Sequence, residues 1–129
     1  MQKIKPTESE LEILSLLWEN GPCTVKKVND KLNQKKEVGY TTTLKLMQIM
    51  FEKKFLSRIK SGRSHIYEAV IKKNDTQGVL LEKVLKTAFA GSASKLVMQV
   101  IRREGTTKEE IGEIKKYLDS LEENKNGTK

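Results

Sequence analysis

From Leu11 onward apolar residues recur every three or four positions: Leu11, Leu14, Leu17 and Trp18 fall on one side of a helix, and Ile13 and Leu16 widen that side. A helix with so broad an apolar surface belongs in the centre of a core. Thr7 marks its start, with Glu10 at the spacing of a capping box, and Asn20-Gly21-Pro22 marks its end. A second helix is expected after Thr24, with Val25, Val28 and Leu32 on one side and Lys26, Lys27, Asp30 and Lys31 on the other. The polar run Asn33 to Glu37 then interrupts the pattern, making a turn longer than the minimal helix-turn-helix connection of about 3–4 residues.

The third helical stretch, Tyr40 to Lys54, places positions 43, 46, 47, 50 and 54 on one face. Leu46, Met47 and Met50 are therefore expected in the core, with Thr41, Thr42, Lys45 and Gln48 turned outward. Beyond it the period changes from 3.6 to 2. Phe55 to Lys60 and His65 to Val70 both alternate, and Ser61-Gly62-Arg63-Ser64 between them has turn composition, which predicts a β-hairpin. Helix, turn, helix, hairpin is the order of a winged helix-turn-helix, here over residues 1–74.

Residues 75–129 return to helical periodicity. Val79, Leu80, Val84, Leu85 and Phe89 supply one apolar surface, and Leu96, Val97, Val100 and Ile101 another, with Gly91-Ser92 between them. A further helix is expected after Thr106-Thr107, with Glu110 at capping-box distance from Thr107 and Ile111, Ile114, Leu118 and Leu121 at near-heptad spacing. Three short helices bury little surface by themselves, so pairing with a second copy is the economical way to cover these stripes. Packing against residues 1–74 is the other way. The expected fold class is mainly α with a small β-hairpin: an N-terminal winged helix-turn-helix and a C-terminal three-helix dimerisation domain. The closing stretch, Glu122 to Lys129, is polar and reads as a frayed tail.

Charge sharpens this division. Residues 1–74 hold 15 lysines and arginines against 8 aspartates and glutamates, whereas residues 75–129 hold 10 against 9. The formal net charge of +8 is thus concentrated in the half that carries the hairpin, which suits a polyanionic partner. Thr and Gln side chains on the outward face of the third helix can bond base edges, and Lys45 can reach guanine or a phosphate. The candidate DNA-contacting set is Tyr40, Thr41, Thr42, Lys45 and Gln48 on that helix, Lys26 and Lys27 on the second, and Lys60 and Arg63 on the hairpin. Arg58, Lys60 and Arg63 are expected near the hairpin tip, where basic side chains reach backbone or minor groove. A plain solvated helix face, and charges that only discourage edge pairing, are the alternative readings. A winged-helix module used for protein assembly is the rival function.

Other chemistry is sparse. One Cys and one His cannot supply a zinc site of the usual kind, and a lone Cys23 forms no internal disulfide. Cys23, beside Pro22, reads as a small packed residue, and His65 has no neighbouring nucleophile, so neither an enzyme nor a bound cofactor is expected. No run of about 18 apolar residues occurs, and Met1 to Pro6 lacks the apolar segment of a signal peptide. No membrane insertion and a cytoplasmic location are the expectation.

Four segments together carry a resemblance: Thr7-Glu8-Ser9-Glu10-Leu11-Glu12-Ile13-Leu14 with Trp18; Tyr40-Thr41-Thr42-Thr43-Leu44; Gly62-Arg63-Ser64-His65-Ile66-Tyr67; and Thr107-Lys108-Glu109-Glu110-Ile111. In this order and spacing the chain resembles the penicillinase-repressor family, the BlaI/MecI type of winged-helix regulators. The resemblance implies a homodimeric repressor on an inverted-repeat operator, silencing antibiotic-resistance or envelope-stress genes, with Thr41, Thr42 and Lys45 in binding roles. It also implies release by proteolysis within the C-terminal domain, triggered by a membrane-bound sensor metalloprotease that detects β-lactam. The segment matching the cleaved one is Leu96 to Ile101, and the candidate bond Gln99–Val100 departs from the Asn–Phe bond of some relatives. Two further departures are Ile49, where family members often have Arg, and Lys54, where they often have Gly. A C-terminal cysteine cluster like that of the copper-responsive branch is absent.

Overall fold

A computed structural model of the chain describes residues 5–127. Six helices and three strands follow one another as α1 (Glu8–Asn20), β1 (Cys23–Thr24), α2 (Val25–Leu32), α3 (Tyr40–Glu52), β2 (Leu56–Ser61), β3 (Ser64–Ala69), α4 (Lys73–Ala88), α5 (Ala93–Arg102) and α6 (Lys108–Gly127). The starts of α1 and α2 lie where local chemistry put them. Thr7 Oγ1 accepts from the Glu10 backbone N–H at 3.2 Å while Glu10 Oε1 accepts from the Thr7 N–H at 2.9 Å, a complete capping box. Thr24 Oγ1 accepts from the Lys27 N–H at 3.2 Å.

The hairpin β2–β3 is antiparallel with Arg58 opposite Tyr67 and Ile59 opposite Ile66. Two residues close it, and of these only Gly62 has positive φ, 62°, the pattern of a type II′ turn with Gly at its first central position. Sequence reading missed one strand. The two residues of β1 pair with β3, Cys23 with Tyr67 and Thr24 with Ile66, so the hairpin is part of a three-stranded sheet of order β1-β3-β2.

The core gathers Ile13, Leu14 and Leu17 of α1, Val25 and Val28 of α2, Met47 and Met50 of α3, and Leu56 and Tyr67 of the sheet. Cys23 is buried among them, as expected of a small packed residue. Leu46 is half-buried against this cluster. Trp18 Nε1 donates to the Ile71 carbonyl at 3.0 Å, tying α1 to the chain leaving β3.

Helix α3 ends two residues earlier than the periodicity suggests. The Lys54 N–H donates to the Phe51 carbonyl and the Phe55 N–H to the Met50 carbonyl, the paired bonds of a Schellman motif. This requires the left-handed conformation at Lys54, whose φ is 68°. For a residue with a Cβ that conformation costs about 1–2 kcal/mol. Lys54→Gly is therefore expected to stabilise the protein by about 1 kcal/mol, read as a higher urea midpoint at unchanged m-value. A lower midpoint would show that the Lys54 side chain contributes more than its backbone strain costs.

The chain divides into two compact units that meet within α4, one ending at Leu81 and the other starting at Glu82. Sequence patterning placed the division at 74/75, the start of the helix, whereas buried Thr76, whose hydroxyl donates to the Lys72 carbonyl at 2.9 Å, belongs to the first unit. In the second unit α5 is capped by Ser92, and α6 by the expected box, with Thr107 and Glu110 exchanging bonds of 3.1 Å. Phe89 lies just beyond α4, before the turn through Ala90 and Gly91. The polar stretch from Glu122, expected to fray, continues α6 as far as Gly127. Thr128 and Lys129, and Met1 to Ile4 of the supposed leaderless start, lie outside the described residues.

Side-chain burial separates the two units sharply. Over residues 82–124 no side chain is buried. Val84, Val97, Val100, Ile111, Leu118 and Leu121 are each 39–53% exposed, while Leu85, Phe89, Leu96, Ile101 and Ile114 are half-buried. Val79 and Leu80, also half-buried, fall before the division.

Candidate nucleic-acid interface

Helix α3 is held by its inner face and left open on its outer one. Thr43, Met47 and Met50 are fully buried, whereas Tyr40, Thr41, Thr42, Lys45 and Gln48 are exposed. All five residues proposed from the sequence on this helix thus share the solvent side. The helix opens at Gly39, which has no side chain to cap it, and no acidic residue lies in its first turn. Its first N–H groups and the positive end of its dipole are therefore available to an anion.

Two asparagines that sequence reading overlooked fix the angle of this helix. Asn29, buried on α2, donates through Nδ2 to Thr43 Oγ1 at 2.8 Å and to the Val38 carbonyl at 3.0 Å. Asn33 closes the turn from the other side: its Nδ2 donates to the Val38 carbonyl at 2.9 Å, and its Oδ1 accepts from the Val38 N–H at 3.0 Å. The turn from Asn33 to Val38 is thereby clasped, which explains how a connection longer than minimal still positions α3. Two Asn one helical turn apart, the second opening the polar run, were the available signal.

A second brace joins α1 to the end of α3. Glu10, 1% exposed, receives Lys53 Nζ at 2.8 Å. Burial pushes the Glu10 carboxyl up, but the Lys53 ammonium and the Thr7 N–H and hydroxyl together outweigh this and hold it below its ordinary value.

The basic side chains do not all play the part expected of them. Lys60 and Arg63 stand exposed on the hairpin, Arg63 in its turn. Arg58 does not join them at the tip. Its guanidinium lies 4.0 Å from the Phe51 ring centre and donates to the Tyr67 hydroxyl at 3.2 Å, so it pins the hairpin to α3. Lys26 and Lys27 are exposed on α2, and Lys26 meets Asp30 at 3.4 Å in an exposed i,i+4 pair that engages its charge only weakly. His65 is half-buried with its ring tilted against Tyr67. Among the described residues no group of three His, Cys, Asp or Glu side chains is placed to hold a metal ion, and no helix is long and apolar enough to cross a membrane.

Comparison with known proteins agrees with this architecture. The solution structure of the DNA-binding domain of the repressor BlaI aligns with 58% of the chain and 93% of its own length, at TM-score 0.52 and 24% identity. A MarR family protein from Bacillus stearothermophilus aligns over 95% of the chain at TM-score 0.55 and 18% identity. Among curated proteins, the penicillinase repressor of Staphylococcus aureus is 20% identical over 120 residues, covering 93% of this chain and 95% of its own. The transcriptional regulator BlaI of Mycobacterium tuberculosis is 24% identical over 115 residues, 88% of this chain and 82% of its own. The family profile described as penicillinase repressor matches residues 6–120. This chain, a winged-helix protein with a helical C-terminal unit, belongs to the penicillinase repressor family, a family of transcriptional repressors and not of enzymes.

Proposed function

We propose that this protein is a homodimeric, cytoplasmic repressor that binds duplex DNA at an inverted-repeat operator, with Thr41, Thr42, Lys45 and Gln48 facing base edges. The observation that carries the reading is the open polar face of α3, backed by a packed inner face, together with the exposed Lys60 and Arg63 of the hairpin that follows it. Phosphate contacts fall to the uncapped start of α3, to Tyr40, Lys26 and Lys27, and to the hairpin. Pairing of two copies through residues 75–129 would set two recognition helices about 34 Å apart, one turn of DNA. The lack of any buried side chain over residues 82–124 supports that pairing, since a compact unit with half its large apolar side chains open needs a cover. Control of antibiotic-resistance or envelope-stress genes follows the relatives' names and sequence resemblance. Release by a membrane-bound sensor protease acting at Gln99–Val100 would cut α5 through its apolar stripe and remove the surface by which the copies pair.

The test is fluorescence anisotropy on the DNA upstream of the protein's own gene against scrambled DNA of equal length. The expected result is about 10³-fold tighter binding to the cognate fragment, two subunits per site, and affinity falling steeply with salt. Thr41→Ala and Thr42→Ala should each reduce that preference by about tenfold or more while leaving binding to scrambled DNA nearly unchanged. Equal, weak binding to both fragments would instead favour a module for protein assembly.

A further inference from the structure

Every exposed residue on the outer face of α3 carries a hydrogen-bonding group except one. Ile49 is 36% exposed and follows Thr42 and Lys45 at i, i+3, i+7 spacing, so these three form a single stripe along the helix. Its neighbours on that face, Gln48 and Glu52, are polar and exposed as well. The fully buried residues of α3 are Thr43, Met47 and Met50, and Ile49 is not among the side chains of the core cluster. A side chain here that can neither donate nor accept cannot serve a phosphate, a guanine or an adenine. The one group in the major groove of unmodified DNA that an aliphatic side chain complements is the C5-methyl of thymine.

We propose that Ile49 is a specificity-determining residue that packs on a thymine methyl group beside the bases met by Thr42 and Lys45, and so requires a T at one position of each half-site. This rests on the reading of α3 as the recognition helix. The branched side chain suits the task, since Ile has few rotamers to lose on contact and its Cβ is held by the helix.

The experiment replaces thymines of the cognate upstream fragment, one position per half-site at a time, by deoxyuridine, which removes the methyl group and leaves every hydrogen-bonding group of the base pair in place. For the unaltered protein, one substitution is expected to weaken binding about fourfold per methyl contact, about tenfold or more when both half-sites carry it. Ile49→Ala should bind thymine and deoxyuridine fragments alike, and Ile49→Val should retain most of the discrimination. Since Ile49 is only 36% exposed, Ile49→Val is expected to stay close to the parent's thermal midpoint and Ile49→Ala to fall below it while remaining folded at the assay temperature, checked on the same samples. If no deoxyuridine weakens binding of the unaltered protein, or if Ile49→Ala shows the same methyl penalty, the inference is overturned while the DNA-reading role of α3 stands. Failure of the unaltered protein to prefer cognate over scrambled DNA would remove both.

Discussion

Val97→Asp and Leu118→Asp are each expected to leave the protein monomeric at micromolar concentration and to weaken operator binding by a factor of about 10² or more. In the single chain these side chains are 46% and 53% exposed, so a charge there costs the isolated fold little. At a two-fold interface the same charge appears twice and must be stripped of water without a partner. Operator affinity then drops because the second half-site contact is no longer intramolecular. Analytical ultracentrifugation gives the oligomeric state, anisotropy the affinity, and circular dichroism the integrity of the helices. A dimer that survives both substitutions would place the pairing surface elsewhere.

Loss of the brace between α1 and α3 is the second large effect. Glu10→Ala removes both the return bond of a capping box, about 1 kcal/mol, and a charge-assisted bond to Lys53, about 1.5–3 kcal/mol; a total loss of about 2–4 kcal/mol is expected. Since Lys53 is 44% exposed, solvent screening puts the value toward the lower end. The pH dependence follows from the direction of the Glu10 shift. Its carboxyl is held below the ordinary 4.5 in the folded protein, so the unfolded chain binds the proton first. The contribution is complete above pH 4.5 and is lost as pH falls toward and through the lowered folded value. Glu10→Gln, which keeps the size and can still accept from the Thr7 N–H, should flatten the acid limb of a plot of urea midpoint against pH. Equal slopes for parent and Gln variant would show that other carboxylates govern acid unfolding.

What could be read from the chain in advance was what adjacent residues decide among themselves. The boxes Thr7/Glu10 and Thr107/Glu110, the stop at Gly21, the turn at Gly62 and the inner face Met47/Met50 each depend on spacings within a few residues, and each lies where the spacing put it. The unanticipated features join distant residues. Strand β1 is two residues long and exists only because Tyr67 and Ile66 come alongside. Arg58 looked like a free tip charge because its spacing from Phe51 shows no ring beneath it. The division inside α4 was hidden as well, since a continuous helical period crosses Leu81 and Glu82 without a break. In the candidate site, the outward residues of α3 followed from periodicity alone, while the Asn29–Thr43 bond that angles the helix did not.

Thr24 occupies an unusual position: its backbone pairs with Ile66 in the sheet, and its hydroxyl caps α2. Hairpin and helix pair therefore share a single residue as their common root. A transplant of DNA preference between relatives would have to respect this. Exposed positions such as Thr41, Lys45, Ile49 and Arg63 can be exchanged one by one. The hairpin cannot be moved without the segment from Cys23 onward, which makes the stretch from Cys23 to Ala69 the smallest cassette that carries both the reading surface and the joint beneath it.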